Sequence, residues 1–282
     1  MNPIKHHAYD RADLSDLASG ERRLLEQKIG IMISQSEPRP LASSIRNALW
    51  IGGACAALDP GGEELCSALR SVAAMTAGLF RLMVEMPGEY PIPLGEGRRA
   101  ILHNIGVTSE TNVGKWHNGF YAACVVRDES ALQQLASTPV ASIRRSPTRA
   151  DDSMFLWIET LQSWHTQATG TAEKLKLALE ATDPARSKGS DPNYILNILV
   201  PVMELLLRVI EGKSAPFNEA LHFALERHKK YWGNAKNKTD PEGLIALGPL
   251  AMASLAHDTG IAIEVESDYL PRRLYEGACR AT

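Results

Sequence analysis

Several clusters in this sequence have side chains of the right type for chemistry. Asp151-Asp152-Ser153-Met154-Phe155 sets adjacent carboxylates before an apolar helical run. Paired aspartates on a helix wall can hold magnesium around a diphosphate. That chemistry needs a second acidic helix with Asn, Ser and Glu at matched spacing, and none is found. Asp151 and Asp152 are therefore expected to start and cap the helix that follows, where negative charge meets its positive pole. Glu219-x-x-His222, with Glu226 four residues on, aligns metal-type ligands along one helix face. A di-iron bundle needs a second such unit and further carboxylates from separate helices. A solvated face is expected instead, with Glu226 spaced to pair with Lys230. Gly95-Glu96-Gly97-Arg98-Arg99-Ala100 looks like a dinucleotide turn, but Pro91 and Pro93 spoil the buried strand that must precede one, so a glycine-rich surface turn is expected.

The remaining reactive types are scattered. His165, His228 and His257 lie in or beside apolar helical faces, and no general-base constellation can be assembled around them. His257 beside Asp258 suits the negative end of a helix. No His-Glu-x-x-His, phosphate-loop or Gly-x-Ser-x-Gly signature occurs. The four cysteines, Cys55, Cys66, Cys124 and Cys279, show no metal or redox spacing and are expected as buried reduced thiols. No catalytic, metal or cofactor residue is thus assigned. The remaining enzyme reading is a helical metal-dependent enzyme acting on a diphosphate or small substrate around Asp151, Asp152 and Glu219.

Such residues would have to be positioned by helices. The 282 residues are 44% hydrophobic and 22% charged, ordinary for a folded chain, with aromatics at only 6%. A net charge of −3 provides no broad basic field, which argues against nucleic-acid binding by charge. No apolar run follows Met1-Asn2-Pro3-Ile4-Lys5, so no secretory signal is expected. The apolar segments near 195–210 and 243–257 are interrupted by Asn197, Pro201, Glu204 and Pro249 and read as short of a membrane span. The expected compartment is the cytoplasm.

Helical spacing recurs along the chain. Leu14 to Ile33 make one helix, with a nick expected near Gly20, and Leu41 to Leu58 make a small-residue helix through Trp50. Leu65, Leu69, Val72, Thr76, Leu79 and Met83 share one face of the clearest helix. Tyr90-Pro91-Ile92-Pro93-Leu94 is extended, as an edge strand or loop. Helices follow at Trp116–Val125 and 129–137. The stretch 142–151, basic and broken by Pro147, reads as a connector within a single 1–282 domain, or between packed halves 1–141 and 152–282. Met154, Ile158, Leu161 and His165 share a face, and Leu175 and Leu179 mark the next helix. Asp191-Pro192 starts a long one kinked at Pro201, and Phe217 to His228 complete another. The fold class is all-α: an irregular multi-helix bundle or solenoid-like stack of antiparallel helices with one or two short extended pieces.

The C-terminal quarter is the most distinctive. His228-Lys229-Lys230-Tyr231-Trp232 ends a helix, and a polar break runs from Asn234 to Asp240. Asp240 and Pro241 are placed as cap and first residue of a helix spanning 241–259, which Gly260 ends in the left-handed conformation. Ile261 to Glu266 is apolar with charges entering late, and Ser267-Asp268-Tyr269-Leu270-Pro271 closes it. This pattern resembles the bacterial immunity protein 49 family, helical antidotes encoded beside polymorphic toxins. The likeness rests on His-x-x-Tyr-Trp, the Ala-His-Asp-x-Gly close, and Glu266 to Pro271, with fainter echoes at Trp50 and at Trp116, Ala122, Ala123, Cys124 and Arg127-Asp128. The resemblance implies a non-enzymatic protein that silences a cognate toxin encoded by a neighbouring gene. Glu264, Glu266, Asp268 and Tyr269 form an acidic, aromatic edge suited to a protein interface. A segment common to a family whose targets differ is also expected to hold the fold together.

Overall fold

Helix α3 (Glu63–Val84) carries the unbroken apolar face, and the molecule is assembled around it. Leu65, Leu69, Val72, Thr76, Leu79 and Met83 are all buried, as their spacing predicts. The computed structural model describes residues 2–183 and 189–280. Helices α1 (Arg11–Gln35) and α2 (Leu41–Leu58) precede α3 and pack as an antiparallel series. A nick at Gly20 does not occur: α1 runs continuously, since a solvent-facing glycine costs a helix about 1 kcal/mol and does not break it. Strands β1 (Glu89–Gly95) and β2 (Arg98–His103) form an antiparallel hairpin lying on α3. Pro91 and Pro93 are accommodated because β1 has only β2 beside it. Gly95, Glu96 and Gly97 all have positive φ, so the glycine-rich stretch is the hairpin turn and no nucleotide cradle.

Helices α4 (Val113–Val126), α5 (Glu129–Ala136) and α6 (Val140–Ile143) follow. Asn112 caps α4 by accepting from the Lys115 amide at 3.1 Å. The basic stretch beyond α6 is tied to the preceding loop, with Ser146 Oγ donating to the Thr108 carbonyl at 2.9 Å and Thr148 Oγ1 to that of Ser109 at 2.8 Å. Helices α7 (Asp152–His165), α8 (Thr171–Glu180), α9 (Pro192–Tyr194), α10 (Val200–Glu211) and α11 (Ser214–Trp232) continue the all-α design. The irregularity expected at Pro201 takes the form of a π-helical turn, Ile195–Leu199, between α9 and α10. Widening the helix just before the proline accommodates a ring that would otherwise strike the carbonyl of Asn197. The stretch Pro192–Glu211 is long and apolar enough to cross a membrane, unlike the sequence reading of 195–210, and half of its apolar window is buried within the protein.

The helix expected over 241–259 is split. Asp240 caps, through the Glu242 amide at 3.0 Å, only a 3₁₀ turn over Pro241–Leu244. Extended residues intervene, and α12 (Leu247–Asp258) begins later. The break has a physical cause. The Ala246 amide donates to the Tyr269 carbonyl at 3.0 Å, which draws the backbone out of helical geometry. Gly53 of α2 is pressed so closely against the Pro241 carbonyl that a Cβ there would overlap it. Gly260, at φ +86°, ends α12 as its sequence position predicts. Helix α13 (Arg272–Tyr275) completes the fold, and one continuous core runs from Ile4 to Cys279.

The cysteines depart from the reduced-thiol expectation. Cys66 of α3 and Cys279 are joined in a disulfide across 213 residues of sequence, with Cα atoms 5.1 Å apart. Their sequence spacing carries no trace of this, because the C-terminal stretch reaches α3 only after every intervening helix has packed. Cys55 and Cys124 are buried and free, and burial pushes the Cys55 thiol up to about 12.

Candidate functional site

Residues 261–268 run extended along the surface with period-two burial. Ile261 and Val265 face inward while Ala262, Glu264 and Glu266 face solvent. The segment is held at both edges. Buried Asn218 of α11 donates from Nδ2 to the Ala262 carbonyl at 2.8 Å, and its Oδ1 accepts from the Glu264 amide at 2.7 Å. On the other edge the N-terminal segment pairs with it in parallel. The Ile4 amide donates to the Glu266 carbonyl at 3.0 Å, and the Asp268 amide donates to the Ile4 carbonyl at 3.0 Å. Satisfying these backbone groups without a regular sheet fixes the direction in which each glutamate points.

The expected site residues divide sharply. Asp268 is half-buried, paired with Lys5 at 3.2 Å and accepting from the His6 amide at 3.2 Å. Tyr269 is fully buried, contrary to its expected place on an exposed edge. Its hydroxyl accepts from the His7 amide at 2.7 Å and bonds His7 Nδ1 at 2.9 Å. The His6 and His228 rings meet the Tyr269 ring edge-on at 4.7 and 5.0 Å. A ring enclosed in this way anchors the N-terminal segment and presents nothing to a partner. Glu264 and Glu266 remain exposed, and neither comes within ion-pair distance of a described cation.

These glutamates border a groove of about 880 Å³ between the N-terminal segment, the end of α2 and the C-terminal stretch. The cations along it are already engaged. Lys5 pairs with Asp268, Arg272 with Glu276 at 2.7 Å, and Arg273 donates to the Gly61 carbonyl. The groove therefore has a basic wall whose side chains are already held by the protein, and an acidic lip whose glutamates form no direct ion pair, although Glu266 lies near enough to favour the charged form of Arg272.

Burial lowers the histidines of and behind the N-terminal segment. Burial pushes His228 down to about 3, with Nε2 2.9 Å from the Gly243 carbonyl. Burial also lowers His6, against the opposing pull of the Leu244 carbonyl, and it lowers His7, assisted by neighbouring His6. No sequence signal marks the His6-His7 pair or the Asn218 clamp, because their roles come from partners more than 40 residues away.

The other candidates do not converge. Asp151 stands at the start of α7, but its carboxylate turns to the amides of Gly189 at 2.9 Å and Ser190 at 3.3 Å, leaving the helix amides uncapped by it. Asp152 is exposed and pairs with Arg144 at 2.7 Å. Glu226 faces His222 at 3.8 Å, the preceding turn of α11, in place of the expected Lys230. His165 lies 3.4 Å from Glu129, and His257 3.3 Å from Asp258 in the last turn of α12. Among the described residues no group of His, Cys, Asp and Glu is arranged to hold a metal ion. A further acid, Glu242, was not anticipated: burial raises it to about 7 although Asn118 donates to it at 2.9 Å.

Residues 59–274 match the family model described as Immunity protein 49. The chain belongs to that family. The match takes in α3, the hairpin and α4, well beyond the C-terminal quarter that carries the resemblance in sequence. No curated protein and no solved structure matches the chain. Among the described residues the reactive side chains do not converge, and the acidic lip is one surface whose carboxylates form no direct ion pair.

Proposed function

We propose that this protein neutralises a cognate, cytosol-acting toxin by binding it stoichiometrically and covering its active site, without catalysis. Family membership supports the antidote role. The observation that carries the contact site is the exposure of Glu264 and Glu266, without a direct ion pair, on a segment clamped at both edges. Preorganised charge of this kind costs little ordering on binding and selects a basic partner surface. The toxin would offer lysine or arginine side chains beside its active site, as a nuclease or an enzyme consuming or transferring a nucleotide cofactor does when it binds phosphate. A stable complex needs about 800 Å² from each partner, so the groove would supply the centre of a larger footprint.

Co-purification with the toxin domain encoded by the neighbouring gene tests this reading. The native chain should hold the toxin in an equimolar complex. Glu264→Arg with Glu266→Arg should weaken capture by about a hundredfold, as for removal of paired interfacial charges, while leaving thermal stability unchanged. Capture insensitive to both reversals would move the contact elsewhere.

A further inference from the structure

We infer that the Cys66–Cys279 bond sets the strength of partner capture, making the acidic groove responsive to thiol oxidation; this rests on the antidote reading above. The groove's far wall is the stretch from Leu270 to Tyr275, which leads directly into Cys279. Up to Tyr275 this stretch has several distant anchors. Arg127 of the αL position after α4 donates from Nη1 to the Leu274 carbonyl at 2.8 Å and from Nη2 to that of Tyr275 at 2.5 Å. Beyond Tyr275 the backbone hydrogen bonds are local, from the Gly277 amide to Leu274 at 3.1 Å and from the Ala278 amide to Arg273 at 2.9 Å. The disulfide joins the end of the wall covalently to α3, a largely buried helix.

The placement of Arg273 couples the bond to the groove. Its guanidinium reaches from the wall to the Gly61 carbonyl, in the turn before α3, and Cys66 sits in the first turns of that same helix. Wall and α2–α3 turn are therefore clamped by one polar contact and one covalent bond. Reduction removes the covalent tie and leaves the exposed polar contact, the Arg127 anchors and core packing to hold them. Formation of the bond is thiol–disulfide exchange: the two cysteine thiols give two protons and two electrons to a disulfide-bearing oxidant, which leaves as two thiols. In a reducing cytosol the pair would stay open until that oxidant load rises. Both cysteines are buried, so exchange requires the terminal stretch to lift, which keeps a formed bond from rapid reversal.

The test measures the affinity of the full chain for a catalytically inactivated toxin domain in glutathione buffers of defined poise. Oxidised protein should bind about tenfold more tightly than reduced protein, the cost of ordering roughly one backbone residue on binding. Cys66→Ser with Cys279→Ser should bind like the reduced form at every poise. Equal affinity of the oxidised, reduced and doubly substituted proteins would overturn the inference while leaving the antidote reading intact. Should no form bind toxin, the antidote reading fails. Hydrogen exchange of residues 270–280 then decides the remainder: faster exchange on reduction upholds the clamp, and unchanged exchange removes it. If the double variant misfolds, the native chain titrated with reductant supplies the same comparison.

Discussion

Tyr269→Phe separates the structural role of the acidic segment from its binding role. The substitution keeps the ring, so no cavity opens, and it deletes only the hydroxyl. That oxygen accepts from the His7 amide at 2.7 Å and bonds His7 Nδ1 at 2.9 Å, both within the buried interior. Leaving the buried His7 amide without a partner costs about 1–3 kcal/mol, and losing the hydroxyl's bond to His7 Nδ1 adds about 1 kcal/mol. The expected loss is therefore about 2–4 kcal/mol, read from urea unfolding as a lower midpoint at unchanged slope. Because Tyr269 is fully enclosed and touches no partner, affinity for the toxin should stay within about twofold of the native value. A loss below about 0.5 kcal/mol, the level of an ordinary surface change, would refute the assignment of Tyr269 to the core. Intact stability with weakened capture would mean that the ring is a contact after all.

Two further outcomes follow from the packing. Gly53→Ala sets a Cβ against the Pro241 carbonyl and should cost about 1–3 kcal/mol, whereas Gly20→Ala on open helix surface should add about 1 kcal/mol. Thermal melts of both variants check this, and equal effects would contradict the close approach of α2 to the 3₁₀ turn. Acid should destabilise the fold: His117 and His228, fully buried and each pushed down to about 3 by burial, take up protons more readily when unfolded. Their folded values lie below the ordinary 6.5, so stability falls as pH drops below 6.5, by about 2 kcal/mol per histidine at pH 5. Glu242, raised to about 7, works in the opposite sense between about 4.5 and 7, so the net loss should steepen only below about pH 4.5. Denaturant midpoints from pH 8 to 4 give the measurement, and a flat profile would show that these histidines are not buried neutral.

Much of the fold is written locally and is legible for that reason. Helix α3 declares itself through Leu65 to Met83, and the two prolines of β1 with Gly95 and Gly97 announce an edge hairpin before any packing is known. Gly260 likewise marks the end of α12. What escapes is non-local. Pro241 is a good first residue for a helix, but the hydrogen bond from Ala246 to Tyr269 and the pressure of Gly53 confine it to a single 3₁₀ turn. Cys66 and Cys279 have no informative spacing, since their meeting depends on how every intervening helix packs. Asp151 reads as a cap, yet Gly189 and Ser190 compete successfully for its carboxylate. In the candidate site, the acidic character of Glu264 and Glu266 was visible, while the inward turn of Tyr269 was not. Alternation alone places Tyr269 on the same face as Ile261 and Val265, and that period-two signal was the one available clue.

The proposed antidote silences its toxin by covering it and not by turnover. Titrating active toxin with the purified protein tests it most directly. Residual toxin activity should fall in a straight line and vanish at an equimolar ratio, with the complex recoverable intact. Complete silencing at a small fraction of equimolar, with chemically altered toxin left behind, would contradict it.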